Sequence, residues 1–458
     1  MGASRRRRGL VLGTMLALGA SGLGRSVPLE GGPPVPRPQA PRPPSNSDFP
    51  ERVQRAIESG AAWLKRQQGK DGSWGSVVSD RSYDPAAKGA LRDYPTGTAS
   101  LCAYTLMKCG APSDDSIVRK ALDFLRTRKS FPSSYELSMA ILAATATADP
   151  AKKTTDSVAS GEKVKLKGDW YAFAKDLVSQ LVKRRSPAGW RYNWAAAPPE
   201  KGGDQDLSST QLAALALLAA ERAGITVEGR IWNDLAVFAF AQQDPDGPAH
   251  ARVLYARHRV EGAPAPAGTP AYAAPPDPKA LSDRARGFAY IRSTTLSPDE
   301  GTPTGGMTAC GMGIVATARW VLEERGEPVW KRRDPGVVDQ SLRDGAAWFD
   351  LHWSPFENPG KTDFNVYHIY YLYCVERAMD LVGATRIGRH DWFLEMGAKL
   401  LANQAPDGSW NSESAHNPKA VLDTCFALLF LSRATKGGIP LPAQTEDLPP
   451  SEAPAGAK

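Results

Sequence analysis

Residues that could do chemistry stand at the starts of several long apolar segments of the chain. Three of them carry carboxyl groups: Glu136, Asp206 and Asp423. A carboxyl group in such surroundings can serve as a general acid or base when its pKa is shifted toward the working pH. These three residues are therefore the candidate catalytic groups if the protein is an enzyme.

Other polar and aromatic residues occupy the same first turns. The candidate ligand-binding residues are Tyr135, Ser208, Gln211, Thr308, Asn365, His368 and Tyr371. Unpaired amides at helix N-termini favour anions and polar ligand groups. Ser, Thr, Asp and Asn are also the ordinary caps of helices, so capping is the competing interpretation. The aromatic run Phe364, Tyr367, Tyr370, Tyr371 and Tyr373 could line a hydrophobic or sugar-binding cavity, or could be core.

The segments that must position these residues are helices of two kinds. The first kind is amphipathic, with an apolar stripe on one side, as in a helix that packs on one face. We predict these helices at 52–68, 116–128, 170–185, 231–243, 337–352 and 391–404. The second kind is apolar all round and must be buried on every side. We predict these at 98–109, 135–148, 208–223, 306–322, 365–382 and 421–434.

The two kinds of helix alternate strictly along the chain. This order predicts an all-α toroid, (α/α)6, in which inner helices form a barrel and outer helices cover it. An open solenoid would need polar capping repeats at its ends. The first and last repeats here are no more polar than the others, which favours a closed ring. In such a ring the inner helices are parallel, so the candidate residues meet at one mouth of the barrel.

Two turns that follow outer helices carry a more specific pattern. The two copies are Gln68 with Asp71-Gly72-Ser73-Trp74, and Gln404 with Asp407-Gly408-Ser409-Trp410. This pattern resembles the glutamine-tryptophan repeat of the terpenoid cyclase and protein prenyltransferase superfamily. The resemblance implies the same toroid over roughly residues 50–435. It also implies that Gln68, Trp74, Gln404 and Trp410 are structural, the glutamine tying an outer helix to the next turn.

The same resemblance implies two enzymatic interpretations. A class II terpene cyclase protonates an alkene with an acid in a run Asp-x-Asp-Asp, whereas the run that ends in Asp206-Leu207 lacks the final carboxylate. A prenyltransferase would hold zinc on an Asp-x-Cys pair, which Asp423 and Cys425 match, with His368 or His416 in place of the family's later histidine. We expect no metal or other cofactor, and the zinc set is the alternative.

The two ends of the chain and one insertion are predicted to lie outside the ring. Residues 1–24 join four arginines to an apolar run rich in small residues, as in an export signal peptide. Residues 25–50 are a proline-rich linker and 437–458 a disordered tail, which leaves 51–436 for the toroid. Within the toroid, 244–304 is a long insertion; we expect disorder over 263–278 and a short strand at 286–293.

Composition excludes several classes of protein. A chain with 42% hydrophobic and 23% charged residues is globular. Five of the charges behind the net +7 belong to Arg5–Arg8 and Arg25, in or beside the leader, so nucleic-acid binding is not expected. The five cysteines lie in apolar helical stretches, and we predict that they are buried and act as small hydrophobic residues. No segment of the mature chain predicts a transmembrane helix.

Together these features predict an exported toroid, periplasmic or extracellular, that is not a cyclase. We expect it to bind an apolar or extended ligand, such as a lipid or a glycan, or a partner chain, at the mouth of the inner barrel. The alternative is a terpene cyclase or transferase with an atypical acidic site.

Overall fold

Thirteen helices follow one another in the part of the chain that the structure describes. The computed structural model describes residues 48–75, 94–129, 131–148, 166, 168–191, 205–253, 282–292, 301–360, 367–384, 386–412 and 420–433. The helices are α1 (Phe49–Arg66), α2 (Pro95–Lys108), α3 (Ser116–Arg126), α4 (Ser134–Ala146), α5 (Gly168–Lys183), α6 (Leu207–Arg222), α7 (Gly229–Gln242), α8 (Gly305–Glu324), α9 (Pro328–Lys331), α10 (Pro335–Leu351), α11 (His368–Val382), α12 (Trp392–Asn403) and α13 (Ala420–Leu431).

Burial separates these helices into the two predicted kinds. Helix α3 buries one stripe, from Val118 to Leu125, and exposes its charged side. Helix α2 instead buries every residue from Thr98 to Met107. The same contrast makes α1, α3, α5, α7, α10 and α12 the outer helices and α2, α4, α6, α8, α11 and α13 the inner ones. The predicted alternation is confirmed, and the hydrophobic effect is its physical cause.

The inner helices form a closed ring. Each one packs against the next in the order α2, α4, α6, α8, α11 and α13, and α13 packs against α2. The first outer helix, α1, lies against α13 and α12, so it covers the joint between the last repeat and the first. The predicted (α/α)6 toroid is therefore confirmed, including its closure.

The glutamine-tryptophan turns hold neighbouring repeats together. Gln68 Nε2 donates to the Ile117 carbonyl oxygen at 2.8 Å, which ties the end of α1 to α3. Gln404 Nε2 makes the same kind of bond across the ring joint, to the Ala56 carbonyl oxygen at 3.0 Å. Trp410 Nε1 donates to the Leu400 carbonyl oxygen at 2.8 Å. These residues are structural, as the resemblance implied.

A close approach at the ring joint depends on one glycine. A Cβ atom at Gly60 of α1 would lie 2.8 Å from Trp410 Cζ3 and 2.9 Å from Leu428 Cδ2. Both distances are too short for two carbon atoms. The missing side chain lets the first outer helix settle against the last turn and the last inner helix.

The insertion in the fourth repeat forms a small hairpin, but not where the strand was predicted. Strands β1 (Ala249–Ala251) and β2 (Ser282–Arg284) pair antiparallel. The predicted strand at 286–293 is wrong, because Phe288 and Ala289 make only isolated bridges. Phe288 is buried against α8, and its backbone N–H donates to Thr308 Oγ1 at 3.1 Å instead of to a strand partner.

Ionic contacts fasten this hairpin to α10. Asp344 accepts from the Arg284 backbone N–H at 2.8 Å and from Arg286 Nε at 2.7 Å. A polar cavity of about 380 Å³ lies between the strand pair and α10. It is lined by Pro245, Asp246, Arg284, Arg286, Gln340 and Asp344. The predicted disordered stretch, 263–278, lies outside the described residues.

The first helix begins slightly earlier than the sequence indicated. It starts at Phe49, so the last residues of the predicted linker belong to α1, with Pro50 in the first turn. A proline is tolerated there because its missing N–H would be unpaired in any case. The predicted signal peptide, most of the linker and the tail lie outside the described residues. Within the described part, none of the helices has the length and hydropathy needed to cross a membrane.

Candidate functional site at the mouth of the inner barrel

The N-termini of the inner helices meet at one end of the barrel, which we call the mouth. Hydrogen bonds between their first turns show this directly. Thr96 Oγ1 at the start of α2 donates to Glu136 Oε1 at the start of α4. Tyr135 Oη, beside Glu136, donates to Ser208 Oγ at the start of α6 at 3.0 Å. The inner helices are thus parallel and in register at this end, as predicted.

Glu136 is held inside a capping box. Its side chain accepts from the Ser133 backbone N–H and from Ser133 Oγ, each at 3.2 Å, while Ser133 caps α4. The group is nearly inaccessible to solvent, and burial raises the pKa of Glu136 against the lowering effect of the hydrogen bonds from Thr96 and Ser133. The carboxyl therefore fixes the start of α4 and joins it to α2.

Asp206 caps α6 from a fully buried position. It accepts from the Ser209 backbone N–H at 2.7 Å and from Ser209 Oγ at 2.8 Å. Burial raises the pKa of Asp206 to about 6, although the hydrogen bonds from Ser209 and the charge of Arg191 oppose that shift. Its neighbour in the acidic run, Asp204, lies outside the described residues.

Asp423 is bound to the preceding turn. It accepts from the Ser412 backbone N–H at 2.7 Å and from Ser412 Oγ at 2.6 Å. Burial raises the pKa of Asp423 to about 6, and the same two hydrogen bonds limit the shift. All three candidate carboxyls thus lie in first turns of inner helices, each on a different helix and each with its own donors.

A chain of hydroxyl groups crosses the mouth. Ser208 Oγ accepts the hydrogen bond from the Tyr135 hydroxyl and lies 2.8 Å from Tyr370 Oη of α11. In the ring order, α11 stands opposite α4, so the two tyrosines reach toward each other from opposite walls and Ser208 joins them. Burial raises the pKa of Tyr370 well above its usual value, which keeps the hydroxyl protonated and able to donate.

Apolar side chains surround this hydroxyl chain. Phe426 of α13 packs edge-on against Tyr370, with ring centres 5.2 Å apart, and stacks on Tyr373 at 5.4 Å. The half-buried apolar side chains in the first turns of the inner helices are Tyr135, Met307, Tyr370, Leu422 and Phe426. Phe426 lies one turn further along its helix than the others, and we call these five the mouth residues.

The other candidate ligand-binding residues have mostly structural partners. Thr308 accepts the Phe288 N–H, and Tyr371 Oη donates to the Ser354 carbonyl oxygen at 3.0 Å from a fully buried position. His368 Nε2 lies 3.0 Å from the Pro355 carbonyl oxygen, and burial lowers the pKa of His368 to about 4. Asn365 lies outside the described residues.

Gln211 differs from this group. Its side chain is buried one turn below Ser208, and its Oε1 accepts no hydrogen bond from the described residues. A Cβ atom at Gly313 of α8 would lie 3.7 Å from Gln211 Nε2, so this amide reaches the neighbouring inner helix.

The residues of the zinc alternative have separate partners. Asp423 is bonded to Ser412, His368 lies against the Pro355 carbonyl, and Cys425 Sγ lies 3.7 Å from Cys102 Sγ. Among the described residues, no group of three His, Cys, Asp or Glu side chains is arranged to hold a metal ion.

Reasoning from the sequence missed two features of the inner barrel. It made Tyr371 the ligand-binding candidate and placed Tyr370 only in an aromatic run, although Tyr370 is the one that joins the hydroxyl chain. It also passed over Arg377, a fully buried guanidinium in α11. The signal for Arg377 was its place, with Glu376 and Asp380, in a helix predicted to be buried on every side, since arginine is almost never fully buried without a partner.

The fold and this mouth define the class of the protein as an α/α toroid with an inner barrel filled by side chains. Neither a protein-family model nor a curated protein matches the sequence. Among solved structures, the chain is similar to the type II terpene cyclase MstE from Scytonema in complex with geranylgeranyl dihydroxybenzoate. The identity is 11%, the match covers 85% of this chain and 99% of that chain, and the TM-score is 0.44.

Two further solved structures are similar over the same extent. An unsaturated glucuronyl hydrolase specific for heparin is 11% identical over 84% of this chain and 97% of its own, with a TM-score of 0.47. A protein from Actinoplanes is 12% identical over 84% of this chain and 100% of its own, with a TM-score of 0.41. These likenesses concern the fold, and the chemistry of the mouth rests on the residues of this chain.

Proposed function

We propose that this protein is an exported toroid that binds an extended ligand across the mouth of its inner barrel and is not a cyclase. The hydroxyl chain from Tyr135 through Ser208 to Tyr370, set among half-buried aromatic rings, is the observation that carries the proposal. Aromatic faces bind apolar ligand surfaces, and tyrosine hydroxyls donate or accept hydrogen bonds beside them.

The ligand that matches both features has apolar faces and hydroxyl groups along one chain, and a glycan is such a ligand. A purely apolar chain would make no use of the remaining hydrogen-bonding capacity of the mouth hydroxyl groups when it displaced water. It would also need a deep dry cavity, whereas the layer below the mouth holds tightly packed side chains such as Tyr373 and Arg377. Binding across the mouth therefore fits better than insertion into the barrel.

The state of the carboxyl groups supports binding over cyclisation. Asp206 and Asp423 each accept two hydrogen bonds, and such bonds stabilise the ionised form. Burial outweighs these bonds and raises the pKa of both groups to about 6, so they are weaker acids than usual, whereas an acid that protonates an alkene must be unusually strong. Both groups, moreover, are tied to donors that fix the local backbone.

The test is calorimetric titration of the purified mature protein with neutral and uronic-acid hexasaccharides. We expect one of these classes to bind, Tyr370→Phe to weaken binding about fivefold to tenfold, and Phe426→Ala to weaken it tenfold or more. Tyr171→Phe, a partly exposed tyrosine on the outer helix α5, is the matched control and should bind as the wild type does.

Two results would overturn the proposal. One is sugar binding that neither mouth variant changes. The other is cyclised product from incubation with squalene that disappears in Asp206→Asn, which would make the protein an enzyme with an atypical acid. Export is tested separately: N-terminal sequencing of the protein from the extracytoplasmic fraction should show cleavage near residue 24.

A further inference from the structure

Two cysteines and an arginine lie together inside the inner barrel, below the mouth. Cys374 Sγ of α11 is 3.7 Å from Cys310 Sγ of α8, and both thiols are fully buried. Arg377, one turn along α11, donates from Nη2 to Cys374 Sγ at 2.9 Å. Its guanidinium also lies over the Tyr373 ring, 4.1 Å from the ring centre.

The surroundings of Arg377 require an anion. A guanidinium stays protonated in proteins, and a charge removed from water is costly unless it is paired. Arg377 is 0% exposed, and its Nε and Nη1 atoms have no hydrogen-bond partner among the described residues. The nearby carboxylate of Asp380 is bound to Arg433.

The sulfur of Cys374 is the acceptor that Arg377 does have. Cys310 donates its S–H to the same sulfur, so Cys374 Sγ receives two hydrogen bonds. Together these contacts lower the pKa of Cys374 to about 7 despite its burial. A thiolate at Cys374 would supply the missing counter-charge of the guanidinium.

We propose that Cys374 and Cys310 form a redox-active dithiol that closes to a disulfide between α11 and α8, with Arg377 as the positioning residue that pairs with the Cys374 sulfur. The oxidant is hydrogen peroxide, which is small enough to reach thiols that are 0% exposed. Forming the bond requires the two sulfurs to approach from 3.7 Å to about 2.05 Å, which side-chain rotation on adjacent helices can provide.

The reaction balances in two steps. The Cys374 thiolate attacks one oxygen of hydrogen peroxide, which breaks the O–O bond, forms a sulfenic acid at Cys374 and releases hydroxide, which takes the proton of Cys310. The Cys310 thiolate then attacks the Cys374 sulfur and releases the sulfenic oxygen as hydroxide, which takes a proton from the buffer. The protein loses two electrons, and one hydrogen peroxide becomes two water molecules.

A second cysteine pair in the same barrel is a matched control. Cys102 of α2 and Cys425 of α13 also lie 3.7 Å apart, sulfur to sulfur, and both are fully buried. Their thiols face each other without an arginine, and burial raises the pKa of Cys102 well above its usual value. The two pairs therefore differ in Arg377 and in the Tyr370 hydroxyl, which also lowers the pKa of Cys374, and the control pair should react more slowly.

The test is oxidation of the reduced, folded full-length chain with hydrogen peroxide. Samples are alkylated in denaturant, and both crosslinks are followed by peptide mass spectrometry. We expect the Cys310–Cys374 crosslink to form at least tenfold faster than the Cys102–Cys425 crosslink, with a rate that rises with pH around 7. Arg377→Gln should slow the first pair to the rate of the second, and Arg377→Lys should restore most of the rate.

The wild-type comparison stands alone if an Arg377 variant does not fold. Equal rates for the two pairs, or free thiols at Cys310 and Cys374 after prolonged oxidation, would overturn the inference. So would an Arg377→Gln variant that folds and oxidises like the wild type. The dithiol is independent of ligand binding at the mouth, so either proposal can fail without the other.

Discussion

Closure of the ring can be tested by a pair of equivalent substitutions, Gln404→Ala and Gln68→Ala. The two glutamines occupy the same place in the two glutamine-tryptophan turns. Gln68 bonds to the next outer helix within the chain, at Ile117, whereas Gln404 bonds to α1 at Ala56 and Ser59. Only the second contact exists because the last repeat meets the first.

The hydrogen bonds set the expected magnitudes. Gln68 Nε2 makes a local bond to the Gly72 carbonyl at 3.2 Å and the bond to Ile117 at 2.8 Å. Gln404 Nε2 makes a local bond to the Gly408 carbonyl at 3.0 Å and two bonds across the joint, at 3.0 and 2.9 Å. At about 0.5–1 kcal/mol for each partly exposed bond, and with two N–H protons on each amide, Gln68→Ala and Gln404→Ala should each cost about 1–2 kcal/mol.

The assay is urea unfolding of both variants, followed by tryptophan fluorescence and far-ultraviolet circular dichroism. In a closed ring, Gln404→Ala is at least as destabilising as Gln68→Ala. In an open ring, Gln404 would keep only its local bond, and Gln404→Ala would become the milder variant, which would refute closure. The double variant should be additive within about 0.5 kcal/mol, because the two contacts on α1 are roughly 15–20 Å apart.

Three further outcomes follow from buried groups. Because the pKa of Asp206 is raised from 3.8 to about 6, its protonation stabilises the fold fully below pH 3.8, and this stabilisation is lost as the pH rises through 6. Asp206→Asn should remove about 2 kcal/mol of the difference in unfolding free energy between pH 4 and pH 7.5, measured by urea unfolding. Gly311→Ala should destabilise by about 1–3 kcal/mol in the same assay at pH 7.5, because its methyl would collide with Phe288, and an unchanged midpoint would contradict this packing. Thr424→Val should lower the unfolding free energy by about 1–3 kcal/mol, because it removes the Oγ1 acceptor, at 3.0 Å, of the buried backbone N–H of Trp410. A melting temperature equal to that of the wild type would show that the bond is dispensable.

Most of the fold could be predicted because its signals are local. The single apolar stripe of an outer helix such as α3 is visible in its own sequence. The sequence of an inner helix such as α2 likewise shows that the helix has no polar face. Closure was predictable for the same reason, since the end repeats lacked polar caps. The strand in the insertion failed because Phe288 found its partner in Thr308, far along the chain, and no local pattern reports that contact.

The mouth was only partly predictable because it depends on which side of a helix faces the barrel. Tyr370 and Tyr371 are adjacent in the sequence, and about 100° separates them around α11. One reaches across the barrel to Ser208, and the other points away to the Ser354 carbonyl. In a helix that is apolar all round, the hydrophobic pattern cannot choose between the two directions. That choice comes from the packing of neighbouring helices.

The capping groups decide what chemistry remains at the mouth. Ser133, Asp206 and Thr304 accept backbone N–H groups in the first turns of α4, α6 and α8, so these amides are not offered to an anion. The buried carboxyls are used in the same way, as acceptors that fix helix starts. What the mouth still presents is aromatic surface and the hydroxyls of Tyr135 and Tyr370. Recognition at this mouth therefore rests on stacking and hydroxyl hydrogen bonds. The helix dipoles act on a ligand only across the capping groups, because the amides of these first turns already have acceptors.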